Sequence, residues 1–233
     1  MVRYIMKQNN FESDAWASSG YVCGIDEVGR GSLFGPVVVG AVILPMWTEY
    51  SLLKDSKNMT ERQREEAFKW IIKNTWSTVA FSSSEVVDRF NVYRATQRAM
   101  HATWIQIVEK FAFLTSQTRY LLVDAVPIIP GKSYSHDNLK SLHFPHGEDR
   151  SISIAAASIL AKVTRDRFLK RIAKDFPQYS LETHKGYATK IHVDAVGRCG
   201  ASVGHRKTFL KKLLVESPGN VSKWNQSTLF GGY

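Results

Sequence analysis

The chain has 233 residues, and 31 Lys plus Arg against 21 Asp plus Glu give it a formal net charge of +10. Its length suits one large domain or a domain with a tail, and 44% hydrophobic residues supply a core and exclude general disorder. The two cysteines, Cys23 and Cys199, exclude a disulfide scaffold and stand in no metal-binding spacing. The positive excess has two readings: a polyanionic partner whose phosphates release condensed counterions on binding, or charge carried for solubility.

Met1 to Gly20 is polar and lacks the apolar centre of a signal peptide, so residues 1–19 read as an N-terminal extension. No apolar run approaches the ~20 residues that span a bilayer, and a soluble, cytoplasmic protein without a membrane partner is expected. Residues 21–26 and 37–44 are short, β-branched and nearly all apolar, as strands buried on both faces are. Cys23 lies within the first of these runs and reads as a small core filler. Gly29 to Pro36 between them is turn chemistry, and the pair predicts a hairpin with a wide connection.

Thr60 and Gln63 form a capping-box pattern ahead of Ala67, Phe68, Ile71 and Ile72, which starts a helix. Trp76 to Phe81 is strand-like, and Ala99, Met100, Trp104, Ile107, Val108 and Phe111 recur at the spacing of a long amphipathic helix. Tyr120 to Val123 is another buried strand, ended by Asp124. The prolines and glycines of 127–150 predict a loop with at most short structure. Ala155 to Phe176 is helical again, with Leu160, Val163, Phe168 and Ile172 toward the core. Early strands followed by helices and a further strand predict an α/β fold, a mixed sheet covered by helices. Residues 216–233 are polar and rich in Gly, Ser and Asn, and read as a tail.

Asp26 and Glu27 stand where an apolar strand runs into a glycine-rich turn, and Asp124 ends another apolar strand. Acidic residues are depleted in strands and costly to bury unpaired, so their positions call for a counter-charge. Glu148 and Asp149 lie in a short loop just before a helix start. Carboxylates at the ends of neighbouring strands converge readily, and a hard divalent cation is their natural partner. Two such ions roughly 4 Å apart would activate a water and stabilise the leaving oxygen in phosphodiester hydrolysis. The plainer alternative is a set of surface acids paired with Arg30 or Lys57.

The run Gly24 to Val38 (GIDEVGRGSLFGPVV) closely resembles the signature of the ribonuclease HII family. Asp55-Ser56-Lys57, Leu122-Val123-Asp124, the run Ser151 to Arg167, His184 to Thr189 and His205-Arg206-Lys207 continue the match in order, over roughly residues 20–210. The resemblance implies an RNase H-like mixed sheet flanked by helices, with a helical C-terminal part, in a catalytic domain of residues 20–215. It also implies Mg²⁺ or Mn²⁺ as cofactor, and an RNA–DNA hybrid or a ribonucleotide-containing DNA duplex as substrate. Cleavage is expected 5′ of a ribonucleotide, leaving a 3′-hydroxyl and a 5′-phosphate. The protein is expected to act as a monomer.

Asp26, Glu27 and Asp124 match three of the family's four catalytic, metal-binding carboxylates. The fourth is normally Asp in Lys-Gly-Asp; counting back from Ser153-Ile154-Ala155 puts Glu148 there, with Asp149 as the neighbouring alternative. Ser32 and Phe34 replace the family's more usual Pro and Ala, and Ala125 stands where Gly is common. Gly29, Arg30 and Gly31 match the loop that senses the ribose 2′-hydroxyl, where glycine allows close backbone approach. Tyr187 matches the tyrosine that packs on the sugar at the junction. Lys162, Arg165, Arg167, Lys170, Arg171, Arg206, Lys207, Lys211 and Lys212 are candidates to line phosphates. The seven histidines show no zinc spacing, and His184 and His205 are structural or phosphate-facing.

A nucleotide-binding oxidoreductase or NTPase would need Gly-x-Gly-x-x-Gly or Gly-Lys-Ser/Thr after the first strand, and neither is present. With about twenty residues before the first motif, the added N-terminal domain of ribonuclease HIII is not expected. The remaining alternative is a catalytically inactive RNA–DNA hybrid-binding protein, raised by the departure at Glu148. In the tail, Gln226-Ser227-Thr228-Leu229-Phe230 resembles the peptide by which bacterial replication and repair proteins bind the sliding clamp. The alternative there is that Leu229 and Phe230 fold back onto the domain.

Overall fold

The structure, a computed structural model, describes residues 10–53 and 56–216. Asp55, Gln226, Leu229 and Phe230 lie outside the described residues. A five-stranded sheet has the order β3-β2-β1-β4-β5. The two apolar runs that flank the glycine-rich turn become β1 (Tyr21–Val28) and β2 (Val37–Ile43), paired antiparallel with Asp26 opposite Gly40. β3 (Trp76–Ser82) follows β2 at one edge. On the other side β4 (Thr118–Asp124) runs parallel to β1, with Ile25 opposite Val123. That register delivers Asp26 and Asp124, the next residue on each strand, to the same end of the sheet.

β5 (Lys140–Phe144) pairs parallel with β4 inside the segment read as a loop. Only Phe144 of its five residues is buried, so an edge strand of exposed side chains carries no apolar run for periodicity to detect.

The helices in chain order are α1 (Asn10–Ala17), α2 (Glu61–Asn74), α3 (Ser84–Lys110), the single turn α4 (Ala112–Thr115), α5 (Ile152–Ile172), the single turn α6 (Leu181–His184), α7 (Lys190–Cys199) and α8 (Lys207–Glu216). α2 starts on the capping box: the Gln63 N–H donates to Thr60 Oγ1 at 3.2 Å and the Thr60 N–H to Gln63 Oε1 at 2.9 Å. α3 begins well before the Ala99 stripe and breaks at Asn91, whose φ of 63° interrupts the helix. The Asn91 carboxamide accepts from the Arg94 N–H at 3.0 Å and so caps the second segment. No described helix is long and apolar enough to cross a membrane.

The chain forms two compact units. The first, Met1–Val28, Val38–Phe81 and Thr96–Thr164, holds most of the sheet and a core that includes Val42, Leu44, Leu53, Ile71, Ile159 and Leu160. Gly24 makes its packing possible, since a Cβ there would stand 2.2 Å from the Ser153 carbonyl carbon. The start of α5 therefore lies directly on β1. The second unit, Gly29–Val37, Ser82–Ala95 and Arg165–Tyr233, is helical around Phe34, Leu169, Tyr179, Leu181, Val196 and Leu210.

Candidate active site

Parallel pairing of β1 with β4 sets the first two acids, and the turn before α5 supplies the third. Oxygens of Asp26, Asp124 and Glu148 lie within 4.8 Å of one another. Asp26 and Glu148 are 5% and 3% exposed, while the neighbouring Asp149 is exposed to solvent. The alternative that Asp149 turns inward is therefore not what the fold adopts; Glu148 occupies the position. Glu27 is not one of these three; its N–H donates to Asp26 Oδ1 at 2.7 Å, and its charge acts on Asp26.

Burial, and then the charges of Glu27 and Asp124, hold the Asp26 carboxyl well above its usual range, against hydrogen bonds from Ser158 and the Glu27 N–H. Burial and the Glu148 charge raise Asp124, opposed by the Gly147 N–H, Lys57 and His146. The Gly147 N–H donates to Asp124 Oδ1 at 2.8 Å, which ties the turn to the strand end. Lys57, itself largely exposed, places Nζ 2.6 Å from Glu148 Oε1. Like charges crowded at low solvent access favour a compact divalent cation. An all-oxygen donor set suits a hard ion such as Mg²⁺ or Mn²⁺.

In the second unit, the turn that carries Gly29, Arg30 and Gly31 is held by two buried arginines. Arg165 is fully buried and donates to Pro36 O at 2.9 Å, Phe34 O at 3.1 Å, Ser32 Oγ at 2.7 Å and Lys185 O at 3.0 Å. Arg206, also fully buried, donates to Gly35 O at 2.8 and 3.1 Å and to Arg30 O at 2.8 Å. Both therefore leave the set of expected phosphate-lining residues. Each is spent on the chain's own oxygens, and a guanidinium enclosed in this way does not face a phosphate.

Gly29 adopts φ +90°, and a Cβ there would lie 2.2 Å from Arg165 Nε. Gly31 is open, with nothing within 4 Å of the point where a Cβ would stand. The half-buried Tyr187 ring lies 5.4 Å from the Arg165 guanidinium carbon, and the Gly186 carbonyl accepts from the Leu33 and Phe34 N–H groups. The structure thus brings Tyr187 and the Gly29–Gly31 turn into one network.

Behind Tyr187 sits a buried cluster of His184, His192 and His205. His192 Nδ1 donates to the Tyr187 carbonyl at 2.9 Å, so its Nε2 accepts from His205 Nε2 at 3.1 Å. His205 Nδ1 then accepts from the Ser202 N–H at 3.0 Å. Every ring nitrogen of this pair is committed with both rings neutral, and burial lowers His192 to about 4 and His205 to about 3. His184 and His205 are structural, and His192, which sequence reading passed over, completes the set. No motif spacing announces it.

The ribonuclease HII family model matches residues 23–213. The chain belongs to the ribonuclease HII family. The ribonuclease HII of Fusobacterium nucleatum is 44% identical over 196 residues, 83% of this chain and 87% of that protein. Among solved structures, the ribonuclease HII of Archaeoglobus fulgidus in complex with PCNA matches at TM-score 0.58 and 25% identity, over 82% of this chain and 94% of that one. Bst-RNase HIII in complex with Mn²⁺ shares the fold at TM-score 0.66 and 19% identity, over 90% of this chain and 71% of that one. The chain is accordingly an endoribonuclease of the ribonuclease H type, and the expected RNase H-like fold is the one observed.

Proposed function

We propose that this enzyme hydrolyses the RNA strand of RNA–DNA hybrids and cuts 5′ of ribonucleotides embedded in duplex DNA. The products are a 3′-hydroxyl and a 5′-phosphate. The observation that carries the reading is the convergence of Asp26, Asp124 and Glu148 within 4.8 Å.

In this proposal Asp26, Glu27, Asp124 and Glu148 hold two divalent ions, Mg²⁺ or Mn²⁺. When bound, the ions supply a water nucleophile at neutral pH and stabilise charge on the attacked phosphate and the leaving oxygen. Asp26 and Asp124 provide two carboxylates brought to the same end of the sheet by the strand register. Glu148 adds the third carboxylate from the turn before α5. Its extra methylene relative to Asp is accommodated, which supports an active enzyme over an inactive hybrid-binding protein.

The Gly29-Arg30-Gly31 backbone reads the ribose 2′-hydroxyl, as glycine leaves room for a sugar beside the main chain. Tyr187 packs on the adjoining sugar. A sliding clamp reached through Gln226, Leu229 and Phe230 belongs to the same proposal, supported by the PCNA complex of the archaeal relative.

The test is a DNA duplex with one embedded ribonucleotide, incubated with and without Mg²⁺. Cleavage on the 5′ side only when metal is present is expected. Glu148→Gln should slow it strongly, as loss of one ligand charge weakens metal binding, with Glu148→Asp close to the native rate. Damage from Asp149→Asn with Glu148→Gln silent would move the fourth carboxylate by one residue.

A further inference from the structure

Helix α1 lies ahead of the residues the family model matches, yet it carries a carboxylate buried in the catalytic unit. Glu12 is 0% exposed. Its Oε1 accepts from Ser151 Oγ at 2.5 Å and from the Ser153 N–H at 3.1 Å. Ser151 precedes α5 and is its cap: Ser151 Oγ accepts from the Ile154 N–H at 3.2 Å. Two donors at the start of α5 are thus committed to one side chain from a distant part of the chain.

The contacts continue toward the carboxylates. The Ser151 N–H donates to Gly147 O at 3.0 Å, and the Gly147 N–H donates to Asp124 Oδ1 at 2.8 Å. Glu148 sits within the same turn, Gly147–Asp149. α1 is anchored beside this path as well. The Phe11 ring stacks on Phe144 at 5.7 Å and meets Tyr120 edge-on at 5.4 Å, while Arg150 covers the Phe144 ring at 4.0 Å.

We infer that Glu12 is a positioning residue for the carboxylate site. Through Ser151 and Gly147 it fixes the turn that carries Glu148 relative to Asp124, and so sets the affinity of the site for its divalent ion. The inference rests on the metal reading of the carboxylate trio.

Hydrogen-bond acceptance is what this role requires of Glu12. Burial raises its carboxyl, against the bonds from Ser151 and Ser153, and Oε2 has no hydrogen-bond partner among the described residues. Glutamine, with the same shape and an acceptor oxygen, should therefore serve where alanine does not.

The experiment measures Mn²⁺ binding to the full-length protein without substrate, by the electron paramagnetic resonance signal of free Mn²⁺. It is run well below each variant's unfolding temperature. Glu12→Ala is expected to raise the Mn²⁺ Kd about tenfold, the scale on which residues that orient metal ligands act. Cleavage at limiting metal should fall in parallel and recover at high metal, with KM for the hybrid unchanged. Glu12→Gln should stay within about twofold of the native Kd. Ser151→Ala, which cuts the same path one residue on, should raise the Kd too and decides the matter if Glu12→Ala does not fold. A native Kd in folded Glu12→Ala or in Ser151→Ala would overturn the proposal, and so would a Glu12→Gln defect equal to that of alanine. Absence of Mn²⁺ binding by the unchanged protein would instead overturn the metal reading and this inference with it.

Discussion

The two units bury charge in opposite ways. In the first, Asp26, Asp124 and Glu148 crowd like charges together, and Lys57 Nζ meets Glu148 at 2.6 Å. In the second, Arg165 and Arg206 are buried, and their hydrogen bonds end on carbonyl and hydroxyl oxygens of the chain's own turns. A guanidinium spent on the chain's own oxygens is architecture. The two guanidinium groups satisfy the carbonyls of Arg30, Phe34, Gly35 and Pro36 in the turn. Asp26 and Asp124, whose carboxyls are raised by burial and by neighbouring negative charge, are poised for a cation instead. Burial of an ionisable group alone therefore does not mark a catalytic residue; what its polar atoms meet does.

Neutralising one member of each set separates the two roles. Asp26→Asn should cut cleavage by at least about a thousandfold, the several kcal/mol a bound metal supplies. Its stability in EDTA should be no lower than native, because a buried repulsion is removed. Arg165→Met should do the reverse. Leaving four acceptors without their donor should cost about 3–5 kcal/mol in urea unfolding, as loss of one partner in a buried charged network does. A destabilised Asp26→Asn beside a native-like Arg165→Met would invert the assignment of roles.

The histidine cluster of the second unit makes its stability depend on pH. His192 and His205 have folded-state values of about 4 and about 3, below the unfolded value near 6.5. Between those limits the unfolded chain binds more protons than the folded one, so stability rises with pH there. Acidification from about pH 6.5 should then destabilise the fold by up to about 1.4 kcal/mol per pH unit for each histidine. The loss should continue to about pH 4 for His192 and about pH 3 for His205. The groups facing them are His184, Tyr179, Tyr187 and Phe34, with no acidic side chain among these to hold a charged ring. His192→Gln should remove part of the slope in unfolding free energy against pH; an unchanged slope would mean the cluster is already charged.

The smallest effect concerns Ala125, which follows Asp124 with φ 52°. A Cβ in that left-handed conformation costs about 1–2 kcal/mol, and glycine returns about 0.4–1 kcal/mol of it through the freer unfolded chain. Ala125→Gly should therefore raise stability by up to about 1 kcal/mol in the same urea titration, with cleavage unaffected.

The departures from the family pattern divide in an instructive way. At Ala125 the sequence records a tolerated strain. Ser32 and Phe34, by contrast, have tasks: the Ser32 hydroxyl accepts from Arg165 at 2.7 Å and donates to the Gly29 carbonyl at 3.0 Å. Phe34 is buried against Phe176, Tyr179 and His205. Neither task is visible without knowing that Arg165 and His205, far along the chain, return to the turn.

Local signals were sufficient for the strands that become β1, β2 and β4, and for the α2 start at Thr60, since apolar runs and cap chemistry act over a few residues. The motif order likewise determined the family, and with it Asp26 and Asp124 as acids at strand ends. Only the tertiary structure decided that Glu148 turns inward while Asp149 stays in water, because both precede α5 with the same chemistry and one residue of turn geometry separates them. It also decided that β5 closes the sheet, that Arg165 and Arg206 are interior, and that Glu12 reaches α5. Each of these depends on segments far apart in the chain, or on an exposed edge, and short-range patterning carries no record of what folds over a residue.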